Sequence, residues 1–230
     1  MIFLNQKMNL TKEELLNIIT EIKELDVTLI PTMPLLSLAA EKFSSIGSQD
    51  VSEYESGAYT GQTSITTLKS LGVKYCLIGH SEKRTYSHET DDKIIKKIEL
   101  CIKNNVTPIF IVGETLEEYN DNRSKEIVEK ELSLVFNNLH CSLNNIIIGY
   151  EPNWSVGKNA AAKDFIEDMI ITIKSIIKEY YDVDLPVLYG GGINEDNIKE
   201  LKKIECINGY LIGSLSLDSE KIKEIYKLAK

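Results

Sequence analysis

Two stretches hold the residue types that proton transfer needs: "YCLIGHSEKRTYSHET" over 75–90 and "YEP" over 150–152. In the first, an apolar run ends in Gly79 and His80 and is followed by Ser-Glu-Lys-Arg, the start of a helical turn. At a helix N-terminus the local dipole disfavours a cation, so an imidazole there stays neutral and aimed. In the second, Glu151 ends another apolar run. A carboxylate near the working pH is a competent base for a proton next to a carbonyl. The anion left by such a removal would need donors already in place, each contributing roughly 10²–10³-fold in rate. Lys7, two residues after Asn5, offers charge and a donor; the turns at Gly190-Gly191-Gly192 and Gly213-Ser214 offer backbone amides for an anion. Singly these signals are weak, since a histidine after a strand is usually structural and a lysine near a terminus usually lies on the surface. Together they ask for an anionic, phosphorylated substrate.

The elements that must position these residues are short apolar runs alternating with longer amphipathic ones. The strand-like runs are 2–5, 27–31, 46–51, 75–79, 107–113, 146–151, 186–190 and 207–213. Several are almost continuously apolar, as strands buried on both faces should be. Helical spacing joins Ile94, Ile95, Ile98, Cys101 and Ile102 within 89–104, and Phe165, Met169, Ile173, Ile176, Ile177 and Tyr180 within 163–181. The segment 117–138 reads as one long helix with a solvated charged face. Eight β units with following helices predict a parallel sheet closed into a (β/α)₈ TIM barrel, one domain over 1–230. The rival, an open doubly wound sheet, expects a glycine fingerprint after its first strand, which "LNQKMN" lacks. In a barrel the chemistry sits at the carboxyl ends of the strands. Asn5, Lys7, His80, Glu114, Glu151 and the two glycine turns all fall there, and Glu114 is assigned to structure beneath the site.

Composition narrows the rest. A net charge of −9 argues against a nucleic-acid binder. No apolar run approaches the roughly 18 residues of a membrane span, and the first ten residues are too polar for a secretory signal. Four cysteines stand far apart without a Cys-x-x-Cys spacing, which predicts neither zinc nor a disulfide framework and fits a reducing cytoplasm.

The blocks "NQKMN", "GAYTGQTS", "IGHSEKRTYSHET", "YEPNWSVGKNAAA", "LYGGGIN" and "INGYLIGSLSL" resemble the triosephosphate isomerase family along the whole chain and in family order. The resemblance implies interconversion of dihydroxyacetone phosphate and glyceraldehyde 3-phosphate without metal or organic cofactor. It implies Glu151 as the base, His80 as a neutral electrophile, Lys7 and Asn5 as donors, and Glu82 as an acidic partner near the lysine. Residues 152–162 are expected to form a lid anchored by Trp154, with Tyr189 bonded to it when closed. Backbone amides of Gly157, Gly192, Gly213 and Ser214 are expected to hold the phosphate. The family's dimer loop corresponds to "SQDVSEYESGAYTGQTS", where Thr60 would reach Asn5 and Glu82 of the partner subunit, so a homodimer is expected.

The chain also departs from the family pattern. Gly192 stands for a serine, Ser214 for a glycine and Leu215 for a small residue. Lys158-Asn159 follows Gly157 where the lid tip usually reads Gly-Thr-Gly. Ile111 replaces a cysteine, Gln6 an apolar or aromatic residue, and Gln62 and Lys83 a glutamate and an arginine paired across subunits. Because the departures cluster around phosphate and lid, a four-carbon ketose phosphate is the alternative substrate. A catalytically silent binding module is the alternative of another class.

Overall fold

The computed structural model describes residues 1–230. Eight strands are hydrogen-bonded in parallel: β1 Ile2–Asn5, β2 Thr28–Ile30, β3 Gly47–Ser48, β4 Tyr75–Ile78, β5 Thr107–Val112, β6 Ile147–Tyr150, β7 Val187–Tyr189 and β8 Gly209–Ile212. Their order is β2-β1-β8-β7-β6-β5-β4-β3. The seam between β2 and β3 closes through one parallel bridge, Leu29 to Ile46, with the Leu29 N–H donating to the Ser45 carbonyl at 3.0 Å. This is the (β/α)₈ barrel predicted.

Side chains alternate along each strand, so the barrel carries two cores. Inside it lie Phe3, Ile30, Leu77, Ile109, Ile111, Ile147, Leu188 and Leu211. Their strand neighbours, among them Leu4, Ile78, Phe110, Val112 and Ile148, face outward and join the helices in a larger apolar layer. Ile111 fills the interior against Gly149: a β-carbon added there would lie 2.4 Å from the Ile111 Cδ1. Its departure from the family pattern is therefore one of packing.

The helices are α1 Lys12–Ile22, α2 Leu36–Lys42, α3 Ile65–Ser70, α4 Ser81–Tyr86, α5 Asp91–Lys103, α6 Leu116–Asn120, α7 Ser124–Phe136, α8 Lys163–Tyr181, α9 Ile198–Leu201 and α10 Ser219–Ala229. Thr11 and Thr115 each begin a helix with a reciprocal cap to the glutamate three residues on. Three expectations need correction. The segment 117–138 is two helices, because Asn122 turns left-handed (φ +56°) and breaks the run between α6 and α7. The strand expected over 46–51 is two residues long. Tyr180, placed on the apolar stripe of α8, is 57% exposed; the buried stripe runs through Ile166, Met169, Ile170, Ile173, Ile176 and Ile177.

Candidate active site

His80 ends β4's turn and caps α4. Its Nδ1 accepts the Glu82 N–H at 3.2 Å, so that nitrogen carries a lone pair and the proton of the neutral ring sits on Nε2. The Nε2 lies 3.3 Å from Glu151 Oε2. Both atoms are buried and neither has a hydrogen-bond partner. Buried polar atoms are almost always satisfied, so this facing pair has room in its hydrogen bonding for a further polar partner.

Glu151 follows β6, and its N–H donates to the Val112 carbonyl at 2.9 Å, fixing its backbone to β5. Its side chain lies on Gly190: a β-carbon there would sit 2.6 Å from Oε1 and 2.8 Å from Cγ. Burial raises the Glu151 pKa above the ordinary carboxylate value, opposed by the nearby His80 and Lys7. The result is a carboxyl group held dry in a slot that only glycine leaves open.

Lys7 stands in the left-handed region (φ +51°). Its N–H bonds Asn5 Oδ1 at 3.2 Å, and its carbonyl accepts the Gln49 amide at 2.7 Å. Its ammonium is 2.5 Å from Glu82 Oε1, and its stem passes over Gly213, whose added β-carbon would be 3.8 Å from Lys7 Cε. A pair this exposed adds little stability, so its effect is to place a charge. Gln6 is buried and donates to the Ser216 carbonyl at 3.3 Å, tying the Lys7 loop to the turn after β8.

Gly157, Gly192, Gly213 and Ser214 line one cavity of about 220 Å³ together with Asn5, Lys7 and Glu151. His80 and Glu82 line the adjoining larger groove of about 740 Å³, which shares Asn5 and Lys7. The nine residues singled out from sequence therefore lie at one mouth. The segment 152–162, expected to form a lid, borders the smaller cavity through Val156 and Gly157. Trp154 packs on Tyr119 (4.3 Å between ring centres) and donates from Nε1 to Glu114 Oε1 at 2.8 Å. Ala161 donates to the Tyr189 hydroxyl at 3.4 Å. Glu114 is fully buried and also accepts the Tyr150 hydroxyl at 3.1 Å.

Two supports were missed in the sequence. Glu131 reaches from α7 to accept the Gly113 N–H at 2.9 Å. Glu89 accepts the Gly79 N–H at 3.0 Å, just before His80, and is paired with buried Lys97, which also meets Asp50 at 2.6 Å. Lys97 sits on the buried stripe of α5 with Ile94, Ile98 and Cys101. A lysine on an apolar stripe was the signal available. Lys83 pairs within the chain, with Asp50 at 2.8 Å.

Fold and mouth together define a class: a (β/α)₈ barrel with a buried carboxylate facing an imidazole where the strands end. The family model described as triosephosphate isomerase matches residues 1–229. Curated relatives carrying the name triosephosphate isomerase include one from Alkaliphilus oremlandii, 34% identical over 94% of each chain. One from Mycoplasma mobile is 36% identical over 97% of each. One from Buchnera aphidicola of Acyrthosiphon pisum is 43% identical over 80% of this chain and 74% of its own. The chain belongs to the triosephosphate isomerase family, and is by that membership an isomerase.

Proposed function

We propose that this chain interconverts dihydroxyacetone phosphate and D-glyceraldehyde 3-phosphate. The observation that carries the reading is the buried, unpartnered pair of His80 Nε2 and Glu151 Oε2 beside the glycine-lined cavity. Glu151 removes the proton from the hydroxyl-bearing carbon of the ketose. His80 donates from Nε2 to the carbonyl oxygen as negative charge moves onto it. The C–H electron pair becomes the enediolate double bond, and Lys7 and Asn5 stabilise the oxyanion. The proton on Glu151 then returns to the neighbouring carbon while the hydroxyl proton passes by way of His80 from the first oxygen to the second, which leaves the aldose and the enzyme unchanged. Glu82 orients Lys7, and the amides of Gly157, Gly192, Gly213 and Ser214 hold the phosphate. The chemistry draws on no cofactor.

The chain acts as a homodimer in a reducing cytoplasm on this reading. Support for the dimer is the groove along Gln62, Lys83 and Glu82, beside an exposed loop with Tyr54 and Tyr59 stacked at 3.7 Å. No helix is long and apolar enough to cross a membrane.

The test is kcat/KM for glyceraldehyde 3-phosphate beside a tetrulose phosphate. The triose is expected to approach the diffusional range of about 10⁸ M⁻¹s⁻¹. A faster tetrulose would reassign the substrate, and no turnover of either, with phosphoglycolate unbound, would sink the enzyme reading.

A further inference from the structure

Strand β1 pairs with β8 only as far as Leu4 and Ile212. Beyond that pair the two segments part, and each lines one side of the cavity of about 220 Å³. Asn5, Lys7 and Asn9 line it after β1; Gly213, Ser214 and Leu217 line it after β8, the last two within the short 3₁₀ turn Ser214–Leu217. Where the backbone ladder stops, side chains make the joint. Gln6 Nε2 donates to the Ser216 carbonyl at 3.3 Å. The Ser216 hydroxyl lies 3.2 Å from the Asn5 carbonyl oxygen and 2.5 Å from that of Gly213, and its single proton serves one of them at a time. Gln6 is held in turn by its own backbone: its N–H donates to the Ile30 carbonyl at 3.1 Å, and its carbonyl accepts the Asn9 amide at 3.0 Å. Gln6 does not itself line the cavity.

The amide of Gln6 is only half used. The Ser216 carbonyl can only accept, so the NH₂ of the amide must face it, and Oε1 is left buried with no donor. Buried polar atoms are rarely left in that condition, and an apolar side chain of similar size would spare the fold this acceptor. From this we propose that Gln6 is a positioning residue that fixes the span between the two ends of the substrate, and with it the chain length the site prefers. Its amide holds the loop carrying Lys7, which faces the reacting carbons, at one distance from the turn carrying the amides of Gly213 and Ser214, which face the phosphate. The inference rests on the isomerase reading and adds to it a residue that touches no substrate. A ligand held at both ends gains from its second contact only when the two halves of the site stand at the spacing of its own groups. An error of about an ångström in that spacing can cost of order 10²-fold in rate. A ligand held by its phosphate alone is indifferent to it.

The test sets inorganic phosphate, which engages one end, against phosphoglycolate, which engages both, in wild type, Gln6→Leu and Ser216→Ala. Gln6→Leu exchanges one unpaired buried acceptor, Gln6 Oε1, for another, the Ser216 carbonyl, so Tm is expected to stay within about 3 °C of wild type. Phosphoglycolate is expected to bind tenfold or more weakly and inorganic phosphate less than twofold more weakly. In the same variant kcat/KM for glyceraldehyde 3-phosphate is expected to fall at least tenfold, and its lead over a tetrulose phosphate to narrow at least threefold. Ser216→Ala cuts the link to the Asn5 carbonyl and leaves the Ser216 carbonyl for Gln6; it is expected to show the same split between the two ligands to a smaller degree. Equal weakening of phosphate and phosphoglycolate would overturn the span and make Gln6 a support of the phosphate turn alone. Unchanged phosphoglycolate binding would overturn it as well. If Gln6→Leu does not fold, the same two ligands on Ser216→Ala decide: a split supports the span, and equal loss or no change refutes it. These affinities need no turnover. A wild type that holds phosphoglycolate more tightly than phosphate yet converts neither sugar would count against the isomerase reading, and the variants would still judge the span.

Discussion

Glu151 joins activity and instability in one side chain. Its raised pKa comes first from burial, so the ionised form that the reaction needs is the form the fold disfavours. A carboxyl whose folded pKa lies above its unfolded value stabilises the protein at acid pH. That contribution is lost as pH rises through the folded value. Glu151→Gln is therefore expected to lower kcat by about 10²–10⁴-fold and to raise Tm at pH 8 while leaving Tm near pH 4 little changed. Thermal melts at the two pH values check it, and a Tm that falls at pH 8 would mean the charge is better paired than its surroundings indicate. At this scale the sequence was informative where chemistry required a residue type at a strand end, as with His80 and Glu151. It was silent where a side chain acts through backbone amides. Glu131 holds the Gly113 N–H next to the site, and nothing in its own neighbourhood along the chain marks that distant amide, while for Glu89 on the Gly79 N–H the one trace is Lys97 on the apolar stripe of α5.

Among the elements, the lid's entry depends on one carboxylate, Glu114, which receives both Tyr150 and Trp154 in a fully buried place. Trp154→Phe keeps the ring against Tyr119 and removes the N–H, so Glu114 Oε1 loses its 2.8 Å partner. An unpaired buried acceptor costs about 1–3 kcal/mol. The expected result is a loss of about tenfold in kcat/KM with the barrel still folded by circular dichroism; unchanged kinetics would show that the indole N–H does not hold the lid. Helix α7 carries the second prediction. Desolvation pushes the Glu131 carboxyl from 4.5 up to about 7, against the pull of Arg84 and the Gly113 N–H. Its stabilisation is complete below the ordinary carboxylate value and is lost as pH rises through about 7. Glu131→Gln retains an acceptor for Gly113 and should flatten that decline, raising Tm at pH 8 by several degrees at about 2–4 °C per kcal/mol. An equally steep pH profile in the variant would assign the titration to another group. The strands were legible because buried parallel strands read as apolar runs. The break at Asn122 was not, because a single left-handed residue leaves the helical spacing of its neighbours intact.

For the whole molecule, the larger groove opens at the same side of the barrel as Lys7, His80 and Glu82. Beside it, Tyr54 and Tyr59 stack on a loop where each is about two-fifths exposed. The proposed dimer would cover this loop and groove together, since two-fold symmetry presents each to the other on the partner. Single-chain pairing of Lys83 with Asp50 removes one cross-subunit ion pair that the family pattern would have used. In the proposed dimer the interface would rely more on shape and apolar contact, and less on charge, so its strength should vary little with salt. Light scattering at micromolar concentration is expected to give twice the 26.0 kDa chain mass at both low and high salt. Thr60→Arg, at the loop's exposed tip, is expected to give a folded monomer with kcat lowered at least tenfold, because Lys7 and Glu82 lose the packing that the partner's loop would supply. A wild type that runs as a fully active monomer would mean that the bonds from Gln49 to Lys7 and from Glu82 to His80 are enough to hold the mouth in order. The groove would then be free for another occupant.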